Sequence, residues 1–143
     1  MRNGSQFKAA LAAWADKVGE QADGLARAVC QETGFRVVKN TPIDTGYLRG
    51  SWQPSIGAIS TSAKAEGGDS MADVALICTG IKAGDVFYMT NNAAYARRIE
   101  YGFVGQDSLG RYYNQPPRYF VRDTVAKYDE IVTMSAQDLG MMK

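Results

Sequence analysis

From Ser5 to about Asn40 the apolar residues Phe7, Leu11, Trp14, Val18, Ala22, Leu25 and Val29 recur in steps of three and four. That spacing puts them on one stripe of a helix, with Lys8, Asp16, Lys17, Glu20 and Asp23 mostly elsewhere. Ser5 is a suitable N-cap, and Pro42 stops the helix by restricting Thr41 before it. Such a run extends roughly 50 Å at 1.5 Å per residue, more than a small domain needs to cover its own core. Part of the stripe is therefore expected to pack on another subunit, the alternative being a hairpin of two shorter helices. Gly19, Gly24 and Gly34 each weaken the helix by up to ~1 kcal/mol relative to alanine, which predicts a bend or break.

The rest of the 143 residues bounds the class of protein. The length fits one domain spanning residues 1–143 with a real core. Sixteen basic residues face fifteen acidic ones, split almost evenly between the two halves. No basic run tracks a phosphate backbone, so a simple DNA-binding module is disfavoured. No apolar run approaches the ~20 residues of a membrane span, and Lys8, Asp16 and Lys17 break the layout of a signal peptide. No membrane association is expected, and the cytoplasm, or an assembly built there, is the expected location.

The chain has no histidine, which removes Ser-His-Asp and Cys-His catalysis and most catalytic zinc sites. Cys30 and Cys78 lie far apart with no CxxC partner and read as small buried hydrophobes. No catalytic, cofactor-binding or metal-binding residue is assigned, and no cofactor is expected.

Beyond Pro42, Leu48, Trp52 and Ile56 suggest a strand over 47–58, with Pro54 favouring an edge or a bulge. Residues 59–70 read as a long polar loop. Alternation of Val74, Leu76 and Cys78 predicts a strand over 71–80, followed by a Gly-containing turn at 82–85 and a hairpin partner at 86–90. A short helix over 93–101, with Asn91 or Asn92 as cap, stops at Gly102. Residues 103–116 read as a second long loop. The last helix runs from Pro117 or Arg118 to about Leu139–Gly140 on a stripe of Val121, Val125, Tyr128, Val132 and Leu139. The expectation is an α+β fold: a small antiparallel β-sheet packed against a long N-terminal helix and a C-terminal helix.

Three segments are dense enough to be motifs. Residues 41–52 contain Pro42, Asp44, Thr45, Gly46, Leu48, Arg49 and Trp52, all explicable as a helix-to-strand corner in which Gly46 supplies a positive φ. In residues 95–102, Tyr95, Ala96 and Ile99 face inward. Arg97, Arg98 and Glu100 face outward, with Glu100 three residues from Arg97 and able to pair with it, before Tyr101 and Gly102. Pro116 to Phe120 is an extended entry into the last helix, with Tyr119 as an aromatic anchor.

In order and spacing these segments resemble the neck or tail-completion (minor tail, head–tail joining) family of long-tailed bacteriophages. Its pattern Pro-[Val/Ile]-Asp-Thr-Gly-x-Leu-Arg-x-Ser matches Pro42 to Ser51. Its pattern Tyr-Ala-x-x-[Ile/Leu/Val]-Glu-Tyr-Gly matches Tyr95 to Gly102, and Pro-x-x-[Phe/Tyr] fits Pro116 or Pro117 through Phe120. The long stretches at 59–70 and 103–115 depart from the pattern. The resemblance implies a non-enzymatic virion protein forming a homo-oligomeric ring, a hexamer in preference to a dodecamer, at the head–tail junction. Head-closure or connector proteins would lie above it and the tail terminator or tail tube below. Genomic DNA would pass through its channel without sequence-specific binding. On that reading Phe103, Tyr112, Tyr113 and Tyr119 are the expected interface anchors, because aromatics dominate interfaces. The alternatives are a tail terminator capping the tail tube and, far behind, a carboxylate-based phage muramidase built on Asp44 and Glu100.

Overall fold

The computed structural model describes residues 4–43, 46–62, 64 and 68–142. Its first element, α1 (Gly4–Asn40), is one unbroken helix of 37 residues, so the glycines do not divide it. Gly34 has a packing reason to be glycine: a Cβ there would lie 2.7 Å from Val74 Cγ1 on the neighbouring helix. After Pro42 comes a single helical turn, α2 (Tyr47–Gly50), before strand β1 (Trp52–Ile56). The strand expected over 47–58 is thus shorter, its first four residues being helical.

The larger correction concerns 71–80, which forms helix α3 (Ser70–Cys78) and not a strand. Asp69 caps it, accepting the Ala72 N–H at 3.1 Å, and Ser70, Val74 and Cys78 face the core at intervals of four while Leu76 is exposed. The turn at 82–85 forms as expected, with Asp85 N–H bonded to Lys82 C=O and Lys82 N–H to the Asp85 carboxylate. Strand β2 (Phe87–Asn91) follows, but its partner is β1, antiparallel, with Trp52 opposite Asn91 and Ile56 opposite Phe87. In this two-stranded sheet β1 has an unpaired edge, which accommodates Pro54.

Helix α4 (Ala96–Tyr101) ends at Gly102, whose φ of 80° suits glycine. The expected loop at 103–116 is instead a second antiparallel hairpin, β3 (Phe103–Gln106) with β4 (Tyr112–Gln115). The last helix is interrupted at Lys127 into α5 (Phe120–Ala126) and α6 (Tyr128–Asp138). Its buried face is Phe120, Thr124, Ile131, Ser135 and Ala136, whereas Val125, Tyr128 and Leu139 of the expected stripe are exposed.

The architecture is α+β as expected, with α3, α5 and α6 packed along α1 and the sheet β1–β2 laid on α3. One core cluster joins Val37, Val38, Leu48, Trp52, Ala93 and Phe120, with the Trp52 and Phe120 rings edge to face at 6.2 Å. The other joins Val74, Cys78 and Ile81, with Cys30, Phe35 and Phe87 against it. Burial pushes the Cys78 thiol up to about 11, with Cys30 close by adding to it; burial and then Asp85 raise Cys30 as well. Both cysteines are free thiols. Part of the polar stretch at 59–70 is tied down: Asn92 donates to Ser60 and Ser62 carbonyls, and Gln53 to Ser62.

Candidate assembly interface

The first motif is a cap on the C-terminal end of α1. Arg49 donates from Nη2 to the carbonyls of Lys39 (2.7 Å) and Thr41 (2.8 Å), and from Nε to Thr41 (3.2 Å). A cation placed on the last carbonyls of a long helix satisfies orphan acceptors and opposes the negative end of its dipole. Thr41 is fully buried; its hydroxyl donates to Val37 C=O at 2.6 Å and accepts Trp52 Nε1–H at 2.7 Å. Gly46 takes φ 82°, and Leu48 enters the core. Asp44 and Thr45 lie outside the described residues.

The second motif caps α5. Glu100 does not face outward: it is 6% exposed, and its two carboxylate oxygens accept the N–H groups of Val121 (2.9 Å) and Arg122 (3.0 Å). It therefore does not serve as a surface partner for Arg97, which lies over the Tyr101 ring at 5.8 Å. Tyr119, just before α5, has φ 48°, and the N–H groups of Arg118 and Tyr119 reach back to the Ile99 and Glu100 carbonyls. A Cβ on Gly102 would sit 2.8 Å from Gln115 O and 2.9 Å from Pro117 N, so the turn after α4 closes onto the extended third motif only through glycine.

These two capped corners frame an open groove of about 760 Å³. Pro42, Tyr47, Leu48, Tyr95, Arg98 and Ile99 line it together with Phe103, Asp107, Arg111, Tyr113 and Gln115. Tyr47 and Tyr95 pair at 6.0 Å, and Phe103 and Tyr113 at 6.4 Å. Asp107 organises the tip of the β3–β4 hairpin, accepting from the N–H groups of Leu109 and Arg111, the Arg111 guanidinium and the Tyr113 hydroxyl. Desolvation pushes its carboxyl upward, but the Arg111 bonds, then Leu109 and Tyr113, outweigh it and hold it below the usual range. Of the four expected anchors, Phe103 and Tyr113 share this groove. Tyr112, its neighbour on β4, is 66% exposed outside it, and Tyr119 lies under Arg122 at the start of α5. Arg111 and Tyr47 are additions that the sequence pattern did not single out, and Arg98, read there as an outward-facing charge, also lines the groove.

A long exposed surface lies on α1. Over residues 4–21 every residue except Ala10 is exposed, about 27 Å of helix at 1.5 Å per residue. Phe7, Leu11, Trp14 and Val18 are 61%, 51%, 63% and 43% exposed.

No family model, curated protein or solved structure matches this chain. Among the described residues no group of three or more His, Cys, Asp or Glu could hold a metal ion, and no helix is long and apolar enough to cross a membrane.

Proposed function

We propose that the chain is a structural subunit of a phage virion, forming a homo-oligomeric ring at the head–tail junction that joins the capsid connector to the tail and encloses the DNA channel. The observation that carries the assembly reading is the exposed apolar stripe of Phe7, Leu11, Trp14 and Val18 on α1. Four large apolar side chains spaced 4-3-4 on a projecting helix are a seam for another helix, and they gain nothing in water. The occupant proposed is a second copy of this chain. Ala10 and Ala15 flank the seam, letting another helix approach closely, and Lys8 and Lys17 balance Asp16 and Glu20, so copies meet no net repulsion. The head–tail junction itself is suggested by the three motifs and their resemblance. Two of them serve as caps that hold α1, the sheet, α4 and α5 together, a structural task consistent with a structural protein.

A ring needs one patch of a subunit to meet a different patch on the next, with a rotation that closes. The aromatic groove between α4 and the β3–β4 hairpin supplies a further surface, with Tyr113 within it and Tyr112 beside it. The test is the mass of the purified protein by light scattering, alone, with tail tubes and with filled heads. A closed ring that binds heads and tails supports the junction reading. A ring that binds only tail tubes would favour a tail terminator, and a monomer indifferent to both would overturn the proposal. Tyr112→Ala with Tyr113→Ala is expected to impair attachment while leaving the fold intact.

A further inference from the structure

The near-even charge of the chain conceals a local concentration that only the fold makes visible. Five of the sixteen basic residues are Arg97, Arg98, Arg111, Arg118 and Arg122, all exposed. The structure brings the segments that carry them together. Arg98 and Arg111 border the same groove, the Arg118 N–H binds the Ile99 carbonyl, and the Arg122 N–H binds the Glu100 carboxylate. The acidic residues of this stretch are Glu100, Asp107 and Asp123, and two of them are engaged. Glu100 is buried on the backbone of α5, and Asp107 is paired with Arg111. Among the described residues Arg97, Arg98, Arg118 and Arg122 form no ion pair.

Three of these four guanidiniums are held against rings. Arg122 lies 3.6 Å from the Tyr119 ring centroid, Arg98 4.0 Å from Phe103 and Arg97 5.8 Å from Tyr101. Stacking restrains a guanidinium while leaving its N–H edges free to donate, the geometry that suits bidentate contact with phosphate. We propose that this arginine face binds the phosphate backbone of double-helical nucleic acid without reading its sequence. A duplex is favoured over a single strand because the rings already carry guanidiniums on a face and offer less for bases to stack on, while the duplex presents one charge per about 1.7 Å of axis. The inference stands on these arginines and not on the ring reading, since a monomer suffices to test it.

The experiment is fluorescence anisotropy with a labelled 30-base-pair DNA duplex at 50 and 200 mM NaCl. Four phosphate contacts predict a slope of log K against log salt near −3.6, about a 150-fold loss of affinity over that range. Replacing Arg97, Arg98, Arg118 and Arg122 together by Gln should abolish binding at 50 mM. Replacing Lys39 and Lys82 by Gln removes charge elsewhere and should leave most of it. Arg118→Gln alone, at a side chain with no partner among the described residues, should lower the slope by about 0.9 if the fourfold variant does not fold. No binding at 50 mM, or equal loss in the arginine and lysine variants, overturns the proposal. Polyglutamate of matched charge binding as tightly as the duplex overturns it in favour of an acidic protein partner. A chain that binds DNA but stays monomeric with heads and with tail tubes would leave this proposal standing and the ring reading refuted; a ring that binds heads and tails but is indifferent to DNA would do the reverse.

Discussion

The carboxylate of Glu100, at the end of α4, receives the backbone N–H of Arg122 at 3.0 Å in the first turn of α5. With the Val121 bond at 2.9 Å, one side chain satisfies two donors that the helix cannot, in the place where Tyr119 provides no side-chain cap. Glu100→Ala leaves both N–H groups without this acceptor and is expected to cost about 2–3 kcal/mol, on the scale of hydrogen bonds to charged groups. Glu100→Gln, which keeps one acceptor oxygen, should cost less. Urea unfolding checks this through a lower midpoint at an unchanged slope.

Arg49 shows the same logic at the other corner. Its planar fork reaches the Lys39 and Thr41 carbonyls at once. Lysine keeps the charge but presents it as a point, so Arg49→Lys should not behave as a conservative change. We expect a loss of about 1 kcal/mol, one net hydrogen bond, measured as a lower unfolding midpoint. Hydrogen exchange should show increased fraying confined to the last turn of α1.

The elements legible in the sequence are those with an unambiguous stop or a long period. The 37-residue helix ends where Thr41 precedes Pro42, α4 ends at Gly102, and the turn at 82–85 has its Asp and Gly in place. Short apolar runs are another matter. In 71–80 the alternation Val74, Leu76, Cys78 coexists with the four-residue repeat Ser70, Val74, Cys78, and only the Asp69 cap separates helix from strand. The β3–β4 hairpin was hidden because its strands are four residues each and mostly exposed, so no buried face patterned them. Glu100 escaped because a carboxylate on a short helix that also carries Arg97 and Arg98 reads as surface. Its burial depends on a helix start twenty residues later in the chain. The arginine face is likewise tertiary, since charge averaged along a chain erases charge gathered by the fold.

Cys78 makes stability depend on alkaline pH. Its thiol is raised from the usual 9.0 to about 11 in the fold, so the unfolded chain ionises first. The stabilisation is complete below pH 9 and is lost as pH rises from about 9 to about 11, above which the contribution is constant. Cys78→Ala removes this term. The variant starts less stable at neutral pH, because a buried group is deleted, but its midpoint should decline less steeply between pH 9 and 11. Urea midpoints of both proteins across that range decide the matter, and parallel declines would refute it.

The projecting half of α1 separates assembly from folding. Leu11 and Trp14 are 51% and 63% exposed, so Leu11→Ser with Trp14→Ser should change the stability of the isolated subunit by no more than about 0.5 kcal/mol per site. Any oligomer that covers the seam should be lost. The two tryptophans provide the readout, because Trp52 is buried with its indole N–H on Thr41 while Trp14 stands in solvent. In Trp14→Phe the remaining emission should come from Trp52 and resist acrylamide at any protein concentration. In the unaltered chain, acrylamide should quench Trp14 in the dilute monomer and lose access to it as subunits associate. Persistent quenching in a fully formed oligomer would show that the seam is not where copies meet, whatever the ring is built from.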